Sequence, residues 1–246
     1  LLPIALMPNL TPLLLSRQLL TALGTRMFVY YQDRAPQSGA VLVVSNHRSF
    51  TDAPLLMAAI ERPIRFAAHH YMGEVPIMRD VVTQLGCFPL ATPDHRQQAF
   101  FAQASQLLQT RQAVGVFPEG TQPMVKLTAA EKMGDFQRGF AHLALRAPVR
   151  DLAVLPIAIA SEQETNNWAV PLRLLHWFDP SEPLFDQSGW HPMVLYQHVT
   201  VMVGRPLWIT SAHRQRYQGR QAKAVVSEVN DYCYQQIEEL LQQNYK

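Results

Sequence analysis

The sequence predicts a single α/β domain, a mostly parallel or mixed central sheet flanked by helices, with an apolar helical segment at its start. Two observations carry this. Short apolar runs alternate with stretches of helical period, the pattern of βα units. The 246 residues contain no internal repeat, low-complexity tract or clear linker, and that length suits one large domain with a sizeable core.

Residues Leu1–Leu20 are strongly apolar but carry Pro3, Pro8, Pro12 and Arg17. A spanning helix needs about 20 apolar residues without a break, so these prolines argue against one. No basic stretch precedes the segment and no small-residue cleavage site follows, so a signal peptide is not supported. Residues 1–26 are expected either to pack on the domain or to dock in a bilayer interface, with docking preferred.

Strands are predicted over Met27–Tyr31, Val41–Ser45, Ile64–Ala68, Cys87–Leu90, Ala113–Phe117, Ala153–Ala160 and His198–Val203. Helices are predicted over Asp52–Ile60, Pro76–Leu85, Arg96–Thr110 and Phe136–Arg146. In the third of these, Phe100, Ala104, Leu107 and Leu108 recur at helical spacing and face the sheet. The main domain spans 27–210. The remainder, 211–246, reads as a C-terminal amphipathic helix, centred on Gln221–Gln243, with Val225, Val229, Tyr232, Ile237, Leu240 and Leu241 on one side. Between 161 and 197 the chain carries Trp168, Trp177, Phe178, Phe185 and Trp190 with several prolines and no clean period. It reads as an irregular insertion that packs on the surface, caps an apolar groove or touches a membrane interface.

Composition narrows the function classes. Charged residues make up 16%, below the usual quarter, which implies extra apolar surface. The 21 Lys and Arg against 19 Asp and Glu give a net charge of +2, and no basic run interleaves with aromatics, so nucleic acid is excluded as a partner. Cys87 and Cys233 form neither a metal spacing nor a disulfide framework, consistent with a reducing compartment. His69 and His70 are adjacent rather than convergent, so no metal site is expected. Ser45 and Ser49 lack the glycine-flanked elbow of a hydrolase, and no glycine-rich phosphate loop or dinucleotide fingerprint is present.

The chemistry concentrates at His47 and Asp52, in Val43-Val44-Ser45-Asn46-His47-Arg48-Ser49-Phe50-Thr51-Asp52. A strand ends in a polar cluster and Asp52-Ala53-Pro54 opens a helix. Asp52 can then bond the His47 ring, fixing its tautomer and leaving the other nitrogen as a base near neutral pH. Taken alone, the pair reads as a helix cap beside a polar loop histidine. A second cluster, Phe117-Pro118-Glu119-Gly120-Thr121, follows the strand Ala113–Phe117. Glu119 and Thr121 offer hydrogen bonds to a substrate, while Gly120 permits a turn at positive φ. Two looser blocks are Gly86-Cys87-Phe88-Pro89, with Thr92 and Arg96 beyond it, and Val154-Leu155-Pro156-Ile157.

Together these four blocks resemble the PlsC-like glycerolipid acyltransferase family of the HxxxxD type, which includes the 1-acylglycerol-3-phosphate acyltransferases. Phe136-Gln137-Arg138-Gly139 is also similar to that family's helix, and the resemblance covers about Met27 to Pro206. It implies acyl transfer from acyl-CoA or acyl carrier protein, as co-substrate, to a hydroxyl of a membrane lysoglycerolipid, most simply a 1-acylglycerol-3-phosphate. His47 is then the base and Asp52 its orienting partner. Glu119, Gly120, Thr121 and Gln122 fall at the acceptor site, with Arg96 near it, and no cofactor is implied. The implied location is the membrane surface, on the cytoplasmic side.

Two positions depart from the family pattern, which carries arginine where this chain has Thr92 and, just after Glu-Gly-Thr, Gln122 followed by Pro123. Arginine pairs phosphate oxygens bidentately; glutamine brings no charge, and Arg96 and Lys126 do not hold those positions. An acceptor without a phosphate monoester therefore stays open, as do a non-catalytic lipid-binding role and thioesterase activity.

Overall fold

The structure is a computed structural model that describes residues 11–68, 76–89, 95–120, 129–171 and 190–245. Its strands are β1 (Arg26–Tyr30), β2 (Ala40–Ser45), β3 (Ile64–Ala68), β4 (Phe88–Pro89), β5 (Ala113–Val116), β6 (Leu152–Pro171), β7 (Trp190–Val203) and β8 (Leu207–Ile209). The helices are α1 (Pro12–Ala22), α2 (Asp52–Ile60), α3 (Pro76–Gln84), α4 (Arg96–Gln109), α5 (Gly139–Arg146), α6 (Ser211–Gln218) and α7 (Ala222–Asn244).

The strands join in one mixed sheet ordered β1-β7-β6-β2-β5-β3-β4, with β8 alongside β6. From β4 across to β6 the neighbours are parallel, and β7 and β8 return antiparallel to β6. All six residues of β2 are buried, as expected of a strand covered on both faces. On one face Leu42 and Val44 meet α4, α5 and α7 through Ala104, Leu108, Phe140, Val225 and Ile237. On the other, Val41 and Val43 meet α1 and α2 through Leu15, Leu20, Leu55 and Leu56. Because β2 to β6 run in parallel, the loops after β2 and β5 emerge at the same carboxyl edge, where α/β sheets hold ligands.

Helix α1 begins at the N-cap Thr11, whose side chain accepts from the Leu14 N–H, with Pro12 at the first helical position. It buries Leu15, Ser16 and Leu20, while Ser16 Oγ lies 3.6 Å from Met57 Sδ of α2. This part of the N-terminal segment is packed on the domain. Among the described residues no helix is long and apolar enough to cross a membrane.

Three features differ from the sequence reading. The segment expected to be irregular from 161 onward continues β6 to Pro171, and β7 already starts at Trp190, so the two strands form a long antiparallel arm. Its alternation is broken by register shifts between Ser161 and Gln163, Gln163 and Glu164, and Thr165 and Trp168. Such bulges erase the period-2 signal. The C-terminal part holds two helices, α6 and α7, rather than one, and Thr210 with His213 forms a capping box on the first. The short strand β8, unforeseen from the sequence, precedes them.

Candidate active site

His47 lies two residues beyond β2, in a turn pinned from below. Asn46 Nδ2 donates to the Ile159 carbonyl and Asn46 Oδ1 accepts from the Ile159 N–H, each at 2.8 Å. A side-chain amide thus continues the β2–β6 ladder for one more step. The chain then turns into α2, where Asp52 occupies the first turn and is fully buried.

Four donors among the described residues converge on Asp52. Its Oδ2 accepts from His47 Nδ1 at 2.8 Å, Arg48 N at 2.7 Å and Ser49 N at 2.9 Å. Its Oδ1 accepts from Tyr196 Oη at 2.7 Å. With three other donors aimed at it, the carboxylate acts as acceptor toward the ring too, so Nδ1 carries the hydrogen. The lone pair is then on Nε2, which makes no hydrogen bond among the described residues. The ring is 14% exposed, enough for a ligand to reach it. It lies flat on Phe117, with centroids 4.1 Å apart, and Phe117 lies in turn on Phe66 at 5.1 Å.

Glu119 is placed beside this pair by the turn after β5. Its Oε1 accepts from the His47 N–H at 2.9 Å and its Oε2 from the Gly134 N–H at 2.6 Å. Burial pushes the Glu119 carboxyl above its ordinary value, against the downward pull of these two N–H groups. The carboxylate therefore ties the histidine loop to the segment before α5. Gly120 follows with φ +68°, the left-handed conformation that its missing Cβ allows.

Of the residues singled out by the sequence, His47, Asp52 and Glu119 come together, with Gly120 next to them. Arg96 opens α4 and is half-buried. Thr121 and Gln122 lie outside the described residues, as do Thr92, Lys126, His69 and His70. No cluster of three or more His, Cys, Asp or Glu side chains able to hold a metal occurs among the described residues.

Several contributors were invisible in the sequence. Arg48 forks onto Glu164 of β6, Nε to Oε2 at 2.7 Å and Nη2 to Oε1 at 2.5 Å. Ser49 Oγ donates to the Val194 carbonyl of β7 at 2.6 Å, which commits that hydroxyl to structure. These partners lie more than 110 residues away in the chain, so no local spacing announces them.

The arrangement is a histidine ring held through Nδ1 by a buried carboxylate at the carboxyl edge of a mixed sheet. A family model for acyltransferases matches residues 26–160, more than half of the 246. The chain belongs to the acyltransferase family. The fold of this acyltransferase is similar to that of the 1-acyl-sn-glycerophosphate (LPA) acyltransferase PlsC from Thermotoga maritima. The TM-score is 0.60 at 16% identity, over 95% of this chain and 78% of that one. No curated protein matches the acyltransferase.

Proposed function

We propose that this acyltransferase moves a fatty acyl group from acyl-CoA or acyl carrier protein to a hydroxyl of a lysoglycerolipid, with His47 as general base. The observation that carries the reading is the His47–Asp52 pair, bonded through Nδ1 with Nε2 left to face a ligand. Nε2 takes the proton of the acceptor hydroxyl as its oxygen attacks the thioester carbonyl. Collapse of the tetrahedral intermediate expels the thiolate, and the imidazolium returns the proton to sulfur. Asp52 stabilises the imidazolium in between. No acyl-enzyme is formed, in keeping with a Ser49 hydroxyl already engaged by Val194 and a Cys87 thiol pushed up to about 11 by burial.

In this reading Glu119 braces the loop that carries His47, and Gly120, Thr121, Gln122 and Arg96 meet the acceptor. Similarity to a lysophosphatidate acyltransferase supports a 1-acylglycerol-3-phosphate-like acceptor, and a lipid of that kind would be met at a membrane surface. A second reading rests on one observation: Thr92 and Gln122 stand where family members carry arginine, which favours an acceptor without a phosphate monoester.

The test is an acceptor screen with labelled acyl-CoA and acyl carrier protein donors. Lysophosphatidate is set beside neutral lipid alcohols and lysolipids, and the products are separated by chromatography. His47→Ala should lower transfer by about 100- to 10,000-fold, the range of general-base help, with an unchanged circular dichroism spectrum. Full turnover in a purified His47→Ala protein would remove the base assignment.

A further inference from the structure

We propose that Tyr196 is a positioning residue for the reaction, acting through Asp52 to set both the orientation and the basicity of the His47–Asp52 pair. This rests on His47 being the base. Tyr196 is fully buried on β7, and its hydroxyl donates to Asp52 Oδ1 at 2.7 Å. The other three donors all fall on Oδ2, so Tyr196 is the one group among the described residues that holds the far oxygen. A carboxylate pulled from both oxygens cannot rotate away from Nδ1. The plane of the His47 ring, and with it the direction of Nε2, is thereby fixed.

The backbone is built to deliver this hydroxyl. Along β7, Val199, Val201 and Val203 point to the face that carries α2. Strict alternation would send residue 197 to that face and turn Tyr196 away. Yet β6 pairs Gln163 with His198 and Glu164 with Tyr196, which leaves one extra residue in β7. That bulge reverses the phase, so Val194 and Tyr196 join the α2 face. Bulges that re-aim a side chain are common beside active sites. Thr25 Oγ1 holds the Tyr196 carbonyl at 3.0 Å and fixes the strand there.

The chemical consequence has a definite sign. A donor on Oδ1 stabilises the carboxylate and draws charge from Oδ2, so the pair takes up a proton less readily. Without the hydroxyl, the protonated pair is favoured and the acid limb of the rate profile moves to higher pH. The other groups around the pair are Glu119 on the His47 N–H, the Arg48–Glu164 ion pair and Tyr245, whose hydroxyl donates to Ser161 O. All are retained when Tyr196 alone is changed.

Tyr196→Phe keeps the ring and removes only the hydroxyl. It should lower kcat by about tenfold, the size expected for one hydrogen bond to a charged group. The acceptor KM should stay within about twofold, and the acid limb of kcat/KM should rise by roughly half to one pH unit. Replacing Tyr196 with 3-fluorotyrosine, a more acidic and stronger donor, should move that limb the other way. It also serves if the phenylalanine variant fails to fold. Opposite movements support the proposal. An acid limb unmoved in a folded variant of either kind overturns it, even if Tm falls, because loss of packing alone does not displace the limb. His47→Ala is assayed in parallel. If it loses activity while the Tyr196 variants leave the profile unmoved, positioning by Tyr196 fails and the base reading stands. If it retains activity, both fail.

Discussion

At the scale of single residues, the His47 ring rests on a stack for which a glycine makes room. Gly115 of β5 is paired in register with Phe66 of β3. A Cβ at residue 115 would sit 2.1 Å from Phe66 Cε1, closer than any real contact. The bare backbone lets the Phe66 ring lie across β5, where it supports Phe117 and, through Phe117, the His47 ring. Gly115→Ala should therefore cost about 1–3 kcal/mol, the usual penalty of overpacking, and lower kcat through displacement of His47. Thermal unfolding and steady-state kinetics check both. Adding Phe66→Leu should recover stability while leaving kcat low, since the stack stays broken. A Gly115→Ala protein with unchanged Tm and kcat would show that the ring has room elsewhere. His47, Asp52 and Glu119 were legible because their residue types announce chemistry. Gly115 was not, because its reason lies 49 positions away in a neighbouring strand.

At the scale of elements, the β6–β7 arm is fastened to the histidine loop. Ser49 reaches Val194, Tyr196 reaches Asp52, and Arg48 forks onto Glu164. Burial raises the Glu164 carboxyl, but the hydrogen bonds and charge of Arg48 outweigh it and hold Glu164 below its ordinary value of 4.5. A depressed folded pKa means the pair contributes stability above about 4.5 and loses it as pH falls through the folded value. Glu119, with its value raised, works in the opposite sense and cannot produce such an acid loss. Glu164→Gln should cost about 1–3 kcal/mol at neutral pH and flatten the decline in stability as pH falls below about 4.5. Urea unfolding at several pH values checks this; parallel curves for the two proteins would detach Glu164 from the acid response. The parallel strands were legible because both-face burial leaves continuous apolar runs such as Val41–Val44. The arm was not, because bulges at three places break the alternation that marks a strand.

At the scale of the whole molecule, the described part of the N-terminal segment belongs to the fold. From Pro12 onward it is core: Leu15 and Leu20 are buried against the α2 face of the sheet, and α2 carries Asp52 in its first turn. Leu14 on the same helix and Leu23 at its C-cap are exposed, and residues 1–10 are largely apolar. With a net charge of only +2, attraction to anionic headgroups is weak, so docking on a bilayer would rest on apolar insertion and be nearly insensitive to salt. Two truncations separate the roles. Removing residues 1–10 leaves Leu15 and Leu20 in place and should reduce sedimentation with liposomes at low and high salt alike. Removing residues 1–22 strips two buried leucines from the core, a loss of roughly 3–6 kcal/mol. That corresponds to about 10 °C or more in Tm, and turnover should fall as α2 loosens around Asp52. Equal liposome binding by the full chain and the shorter truncation would place docking elsewhere on the surface. An unchanged Tm in the longer truncation would mean that α1 does not support α2.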